Sequence, residues 1–373
     1  MPIRSEWKLA RVSFTNDTLV RALKLTAFNP ALTLPLILLA RYTAQGGVLA
    51  SEHATAFKHL KTLATLGVLN AASSFLSDRV VNNWKSDEWD WSKEGKEVVV
   101  VTGGSDGIGK KIVGLFAESG VKVAVLDVQG LTYEAPPTVH YFHCDLASPA
   151  SIAHAATQIR STLGAPTVLI NNAGCARGKS ILNLTESDIR LTFNVNTLSH
   201  YFLTQQFLPS MIEHNHGMVV TVASLAGYLT APSMVDYAAS KSAAVSFHEG
   251  LAAELTTLYH APKVRTVLMC QGYTRTALFE GFAGKALYPE TVAEEIVKAV
   301  FAGKSASLTL PETAWGIAPK VRGWPLWMQY AFRGALKHLM SGWKGRQVMQ
   351  PSEVGEKEGE KGVGESTVLV GKE

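Results

Sequence analysis

The chain is predicted to fold as a doubly wound α/β protein, a parallel sheet covered by helices on both faces. Three stretches carry that prediction. Val98–Val101 is a run of four β-branched residues, which suits a strand buried on both faces as parallel sheets require. A glycine-rich turn with Gly103, Gly107 and Gly109 follows at once and leads into Lys110–Gly120, a helical pattern with apolar Ile112, Val113, Leu115 and Phe116. The next strand, Lys122–Val128, ends with Asp127, at about the 20-residue distance where an acidic residue meets an adenosine ribose.

Strand, glycine turn and helix together form the setting in which helix N-terminal amides attract a phosphate. The GxxxGxG spacing departs from the GxGxxG dinucleotide fingerprint, and taken alone it fits any flexible turn. Asp127 gives it a partner, because a carboxylate there accepts ribose hydroxyls and repels a 2′-phosphate. The turn holds no Arg or Lys, and Asp106 adds a negative charge. NAD(H) is therefore favoured, with NADP(H) as the alternative.

Further along, Tyr237-Ala-Ala-Ser-Lys241 places a phenol and an ammonium four residues apart, on one face of a helix. The ammonium would favour the ionised phenol. Ser224, arriving from a preceding strand, could orient a substrate alcohol or carbonyl against it. Such a set moves a proton while a hydride moves elsewhere.

At this point the residues resemble the short-chain dehydrogenase/reductase family. The matching pieces are Thr102-Gly-Gly-Ser-Asp-Gly-Ile-Gly109, Cys144-Asp-Leu146, Asn171-Asn-Ala-Gly174, Asn194-Val-Asn196, Ser224-x-x-Gly227 and Tyr237-x-x-x-Lys241. They stand in the family's order over roughly residues 95–310. The resemblance implies a Rossmann-type sheet in the order 3-2-1-4-5-6-7, with Ser105, Ile108 and the glycines around the dinucleotide. It implies that Asp145 and Leu146, after strand Val139–Cys144, approach the adenine, and that Asn171, Ala173 and Gly174, after Val168–Ile170, line the cofactor trough. By the same resemblance Asn196 holds a water linking Lys241 to solvent, although Asn194 stands two residues away. Ser224 bonds the substrate oxygen, Tyr237 exchanges the proton, and Lys241 grips the nicotinamide ribose while lowering the phenol pKa.

The remaining elements follow in order. Thr185–His214 is expected to be the helix carrying Asn196, and Val235–Tyr259 the one carrying Tyr237 and Lys241; helices in these two places often form the family's homodimer interface. After strand Val264–Cys270 the family usually has Pro-Gly, whereas this chain has Gln271-Gly272-Tyr273-Thr274-Arg275-Thr276. Losing the proline is expected to loosen the turn. Gly272 keeps its place, and Thr276 or Thr274 is left to meet the nicotinamide amide. Tyr273, Phe279 and Phe282 either line an apolar pocket or pack a lid. The last strand is expected near Ser307–Pro311.

The 373 residues exceed what such a domain needs. The expected division is 1–94 as a helical extension, 95–311 as the dehydrogenase domain, 312–351 as a Trp- and base-rich segment, and 352–373 as a disordered Gly/Glu/Lys tail. Leu25–Ala40 and Thr62–Ser77 carry no charge, but both fall short of the roughly 20 apolar residues of a spanning helix. With Trp7, Trp84, Trp89, Trp91 and cationic flanks, the N-terminal part suits a segment lying on a bilayer, or else a helical pair packed on the domain. Residues Trp324–Trp343 mix apolar and cationic residues as an interfacial amphipathic helix or a cleft cap would.

Three cysteines, Cys144, Cys175 and Cys270, make no disulfide framework and suit a cytosol-facing protein. The His and acidic residues show no metal-ligand spacing, and a formal charge of +4 without a basic stripe gives no case for nucleic acid. The stretch Asn194–Pro209 resembles the membrane-associated retinol and hydroxysteroid dehydrogenase branch. Together with the terminal segments it implies a lipophilic alcohol or its carbonyl, at an endoplasmic reticulum or lipid-droplet surface. The rival readings are an NADPH-dependent carbonyl reductase, a membrane scaffold that merely retains the fold, and a soluble enzyme.

Overall fold

Seven strands pair in parallel in the order β3-β2-β1-β4-β5-β6-β7, as expected. The structure is a computed structural model and describes residues 16–92, 96–345 and 347–348. Trp7 and the tail expected at 352–373 lie outside the described residues. The strands are β1 (Val98–Thr102), β2 (Lys122–Asp127), β3 (Val139–His143), β4 (Val168–Asn171), β5 (Gly217–Val222), β6 (Val264–Gln271) and β7 (Ala306–Leu310). The β-branched run explains the centre of the sheet. Along β1 and β2, Val99, Val101, Val123 and Val125 enter one core cluster, while Val100, Ala124 and Leu126 enter another on the opposite face, as period-two alternation requires.

Helices α5 (Gly107–Glu118) and α10 (Pro289–Phe301) cover the first face, through Ile112, Phe116, Val292 and Ile296. Helices α6 (Pro149–Leu163), α8 (Ser199–His214) and α9 (Val235–Thr257) cover the second. The chain reverses its direction of winding between β1 and β4, so their carboxyl ends open a crevice where α/β sheets take ligands. The helix expected over Thr185–His214 is in fact α7 (Glu186–Phe193), a π-turn at Asn194–Leu198, and α8. A single-turn π-bulge of this kind often marks a functional position.

The described chain divides into two compact units between Trp84 and Lys85, earlier than the boundary expected at 94/95. Segment 85–92 thus belongs to the catalytic unit, and two of the tryptophans assigned to a bilayer face, half-buried, pack against its core. Trp89 stacks on Trp91 at 5.2 Å between ring centroids, and Trp91 meets the Phe301 ring edge-on at 5.0 Å. The aromatic contacts draw both indoles against the α5–α10 face.

The N-terminal unit contains α1 (Asn16–Leu25), α2 (Pro30–Tyr42), α3 (Ala44–Glu52) and α4 (Ala54–Val81). The side chains of Asn29 and Thr43 cap α2 and α3. Among the described residues no single helix is long and apolar enough to cross a membrane, although α1 and α2, bent by 44°, pass that test as a pair. At the other end, helix α11 covers only Leu326–Ala335 and buries no residue. The long helix expected over Trp324–Trp343 stops there, and turns follow. Gly334, Gly342 and Gly345 disfavour helix at this point.

Candidate active site

A cavity of about 390 Å³ opens at the carboxyl ends of β1 and β4 and continues beyond Tyr237. One half is built from the glycine turn. Gly103 has φ +64° and its missing side chain leaves room for Ala173, whose Cα would lie 2.9 Å from an added Cβ. Gly107, at φ +59°, opens α5 with Asp106 as its N-cap. Gly109 packs so closely on the Gly103 carbonyl that an added Cβ would overlap it. Ile108, Asp127, Leu146, Ala173 and Gly174 complete this half.

Asp127 is buried. Its Oδ2 accepts from the Ser105 N–H at 3.0 Å, and its Oδ1 accepts from the Gln129 N–H at 3.1 Å. Burial pushes its carboxyl above the usual range against these hydrogen bonds. The helix N-terminus, the close backbone approach and the strand-end carboxylate fit a dinucleotide: Gly103, Gly107 and Ile108 would hold its pyrophosphate and Asp127 its ribose.

Five expected residues stand behind this surface rather than on it. Ser105 is fully buried and donates its hydroxyl to Gln129 O at 2.9 Å, tying the turn to the end of β2. Gly109 is the turn's internal packing point. Asp145 accepts from the Ala147 N–H at 2.8 Å and shapes the entry to α6. Asn171 is fully buried within β4, and its neighbour Asn172 lines the cavity instead. Strand alternation explains the exchange, since successive side chains face opposite ways. Asn172 Nδ2 donates to Thr102 O at 2.9 Å, joining β4 to β1. Asn196, in the π-turn, accepts from the Cys175 N–H at 2.8 Å and donates to Cys175 O at 2.9 Å and Ser240 Oγ at 3.0 Å. Its side chain is committed to holding the β4 loop against α9, so any water would fall to its main chain.

Ser224, Tyr237 and Lys241 all line the cavity. Ser224 caps a short 3₁₀ turn, accepting from the Ala226 N–H at 3.1 Å, and its hydroxyl reaches Gln271 O at 3.3 Å. Burial pushes the Tyr237 phenol up to about 12, with the Ser224 hydroxyl pulling the other way. Burial likewise brings the Lys241 ammonium down to about 8. That ammonium donates to Val222 O at 2.8 Å and lies 6.0 Å from the Tyr237 ring centroid. Burial thus opposes the expected lowering of the phenol in this arrangement, where the lysine is engaged with β5.

Gly272, Thr274 and Thr276 also line the cavity, and the loop that carries them is pinned rather than loose. Gly272 N–H donates to Leu310 O at 2.7 Å, and Leu287 N–H donates to Tyr273 O at 2.8 Å. Thr276 lies against Gly107, while Thr274 is buried and donates to Gly272 O at 3.1 Å. Tyr273, Phe279 and Phe282 do line the pocket, with the Phe279 ring edge-on to Tyr237 at 5.4 Å. Beyond Tyr237 the wall is apolar, through Ala231, Met234, Leu278, Leu336 and Leu339. Sequence reasoning missed these last two, because they follow α11 in turns that have no periodicity to read.

The family described as short chain dehydrogenase matches residues 97–285. The chain belongs to the short-chain dehydrogenase family. This short-chain dehydrogenase is 46% identical over 217 residues to Dehydrogenase RED2 of Cochliobolus heterostrophus (strain C4 / ATCC 48331 / race T), across 56% of this chain and 78% of that protein. It is 34% identical over 215 residues to Estradiol 17-beta-dehydrogenase 11 of Pongo abelii, across 56% and 71% of the two chains. It is 32% identical over 215 residues to 17-beta-hydroxysteroid dehydrogenase 13 of Homo sapiens, again across 56% and 71%. A solved short-chain dehydrogenase from Streptomyces avermitilis superposes with a TM-score of 0.55 at 24% identity, over 65% of this chain and 98% of that one. That likeness bears on the fold alone. The chain is an NAD(P)-dependent oxidoreductase acting on CH–OH groups.

Proposed function

We propose that the enzyme interconverts a lipophilic alcohol and its ketone or aldehyde, with NAD(H) as the preferred dinucleotide. The observation that carries this reading is the position of Tyr237, at the junction between the glycine-lined half of the cavity and its apolar half. The bound nicotinamide supplies hydride exchange with the carbinol carbon. Tyr237 exchanges the proton of the substrate oxygen, donating it in reduction and taking it as phenolate in oxidation. Ser224, which lines the same cavity, orients the same oxygen. Lys241 holds the nicotinamide ribose, and its charge then favours the phenolate. Asp127 selects against a 2′-phosphate. The relatives named as estradiol and hydroxysteroid dehydrogenases support the lipophilic class.

Steroids, retinoids and long-chain alcohols, assayed with NAD⁺ and NADP⁺ in detergent, test the reading. Turnover of at least one is expected, and Tyr237→Phe should lower it on the order of 10²–10⁴-fold. A Tyr237→Phe protein as active as the parent would leave the scaffold reading standing. Equal or tighter binding of NADPH by the parent overturns the cofactor preference, and Asp127→Ala should shift the ratio towards NADPH by about tenfold, or 1.4 kcal/mol.

A second inference concerns setting. In the N-terminal unit Leu32, Leu36, Leu38, Leu39, Val48 and Leu49 are all exposed, a set of apolar side chains of the kind that meets a membrane or partner when it forms one patch. We infer that this unit lies on a lipid surface of the endoplasmic reticulum or a lipid droplet, with the catalytic unit facing the cytosol. Recovery of all the protein in the supernatant of a detergent-free fractionation would count against it.

A further inference from the structure

The substrate half of the cavity has a wall that lies beyond the family's extent. The family match ends at residue 285, yet Leu336, Leu339, Gln347 and Val348 line the chamber. The segment carrying them is held from two sides. On the β4 side, Gln347 Nε2 donates to Ala176 O at 2.9 Å, and Arg177 Nη1 donates to Gln347 Oε1 at 2.8 Å. Gly178, at φ +64°, lies so close beneath the Trp343 ring that an added Cβ would overlap it. On the β6 side, Trp343 Nε1 donates to Leu278 O at 2.9 Å, Ala283 N–H to Leu339 O at 2.9 Å, and Lys344 N–H to Glu280 O at 2.8 Å. Met340 is buried in the same apolar cluster as Tyr237. Holding an irregular segment in place costs about 1–2 kcal/mol of backbone entropy per residue, and this one is ordered by contacts with the two loops that flank the reacting phenol.

We propose that residues 336–345, with Gln347 and Val348, form the specificity wall of the chamber. Leu336 and Leu339 limit the apolar body a substrate can carry beyond its carbinol carbon. Trp343 and Gln347 are positioning residues that hold the wall against the β4 and β6 loops. The chemistry of what fills the chamber rests on the function proposed above; the wall does not.

Cys175 supplies a reporter that needs no substrate: it follows Gly174 in the loop after β4, next to Ala176 and Arg177, and it is half-buried, whereas Cys144, which also borders the cavity, and Cys270 are buried. Cys144 and Cys270 are buried thiols, both pushed up to about 11 by burial, and serve as internal controls. The full chain is treated with N-ethylmaleimide and each cysteine is followed by peptide mass spectrometry. Trp343→Ala and Gln347→Ala should each raise the Cys175 rate about tenfold by local opening, with Cys144 and Cys270 still slow and Trp343→Phe close to the parent. If Trp343→Ala exposes all three thiols, it has unfolded and Gln347→Ala decides. A parent-like Cys175 rate in the folded variants overturns the proposal. In turnover, Leu336→Ala and Leu339→Ala should raise kcat/KM for bulky alcohols relative to slim ones, chiefly through KM. Should the parent turn over no alcohol with either dinucleotide, the function proposed above falls and the alkylation contrast alone judges the wall. Turnover with unmoved selectivity in both leucine variants sinks the wall and spares the function.

Discussion

Gly109 and Gly114 stand in the same helix under opposite constraints. An added Cβ at Gly109 overlaps the Gly103 carbonyl and meets Asn172 Nδ2 at 2.7 Å, whereas one at Gly114 meets nothing within 4 Å. Gly109→Ala should therefore destabilise the protein by about 1–3 kcal/mol, as overpacking does, and weaken dinucleotide binding. Gly114→Ala should stabilise it by roughly 0.4–1 kcal/mol. Urea midpoints with NADH titrations check both, and equal midpoints would refute the packing argument. Residues of this kind are legible in the sequence wherever backbone must approach backbone. The choice between Asn171 and Asn172 was not, because it depends on the register at which β4 ends. Nor was the direction of the Tyr237 phenol: spacing brings Lys241 to the same helix face, but only the fold shows that its ammonium reaches Val222 O.

At the scale of elements, the amino-terminal ends of β1 and β5 are joined by charge. His216 Nδ1 meets Asp87 Oδ2 at 2.7 Å, and Nε2 meets Glu97 Oε2 at 3.3 Å. Lys263 Nζ lies 3.8 Å from Asp87 Oδ1, and Arg265 donates to Lys85 O at 2.7 Å. Glu97 and then Asp87 raise the His216 pKa above 6.5. Burial pushes Glu97 up, but hydrogen bonds from His216, Thr167 and Asp90 outweigh it and hold the carboxyl below 4.5. The signs follow from linkage. The histidine's contribution is complete below pH 6.5 and fades as pH rises through its raised value. The glutamate's is complete above pH 4.5 and fades as pH falls through its lowered value. The cluster should hold Asp87 and Glu97 against the start of β5 most firmly between pH 4.5 and 6.5. The Tm gap between the parent and His216→Gln should be wider at about pH 6 than at about pH 8.5, and a constant gap would refute the linkage. Nothing in the sequence marks this cluster, since its members come from 87, 97, 216 and 263 and meet only through the sheet. The strand order, by contrast, was legible, because it rests on motifs that each sit at a strand end.

For the molecule as a whole, the division into compact units falls between Trp84 and Lys85, ahead of the border expected at 94/95. Trp89 and Trp91 look interfacial by composition, and only the fold shows them packed against the core. The apolar α2 surface is a different case, because its leucines stay exposed in the folded unit. In flotation with phosphatidylcholine–phosphatidylserine vesicles, the full chain should rise with the lipid. Leu36→Asp with Leu39→Asp should reduce the floating fraction severalfold, each buried leucine being worth about 1.5–3 kcal/mol, while NADH binding persists. Loss of NADH binding alongside flotation would point to misfolding rather than to lost lipid contact.

The aromatic stack beside His216 has an optical consequence. The Trp89 ring centroid lies 4.4 Å from that of the imidazole, close enough for a protonated ring to quench indole emission. As the histidine loses its proton with rising pH, Trp89 should brighten, and His216→Gln should abolish that step. The protein thus carries a built-in fluorophore that reports the state of the charge cluster around His216.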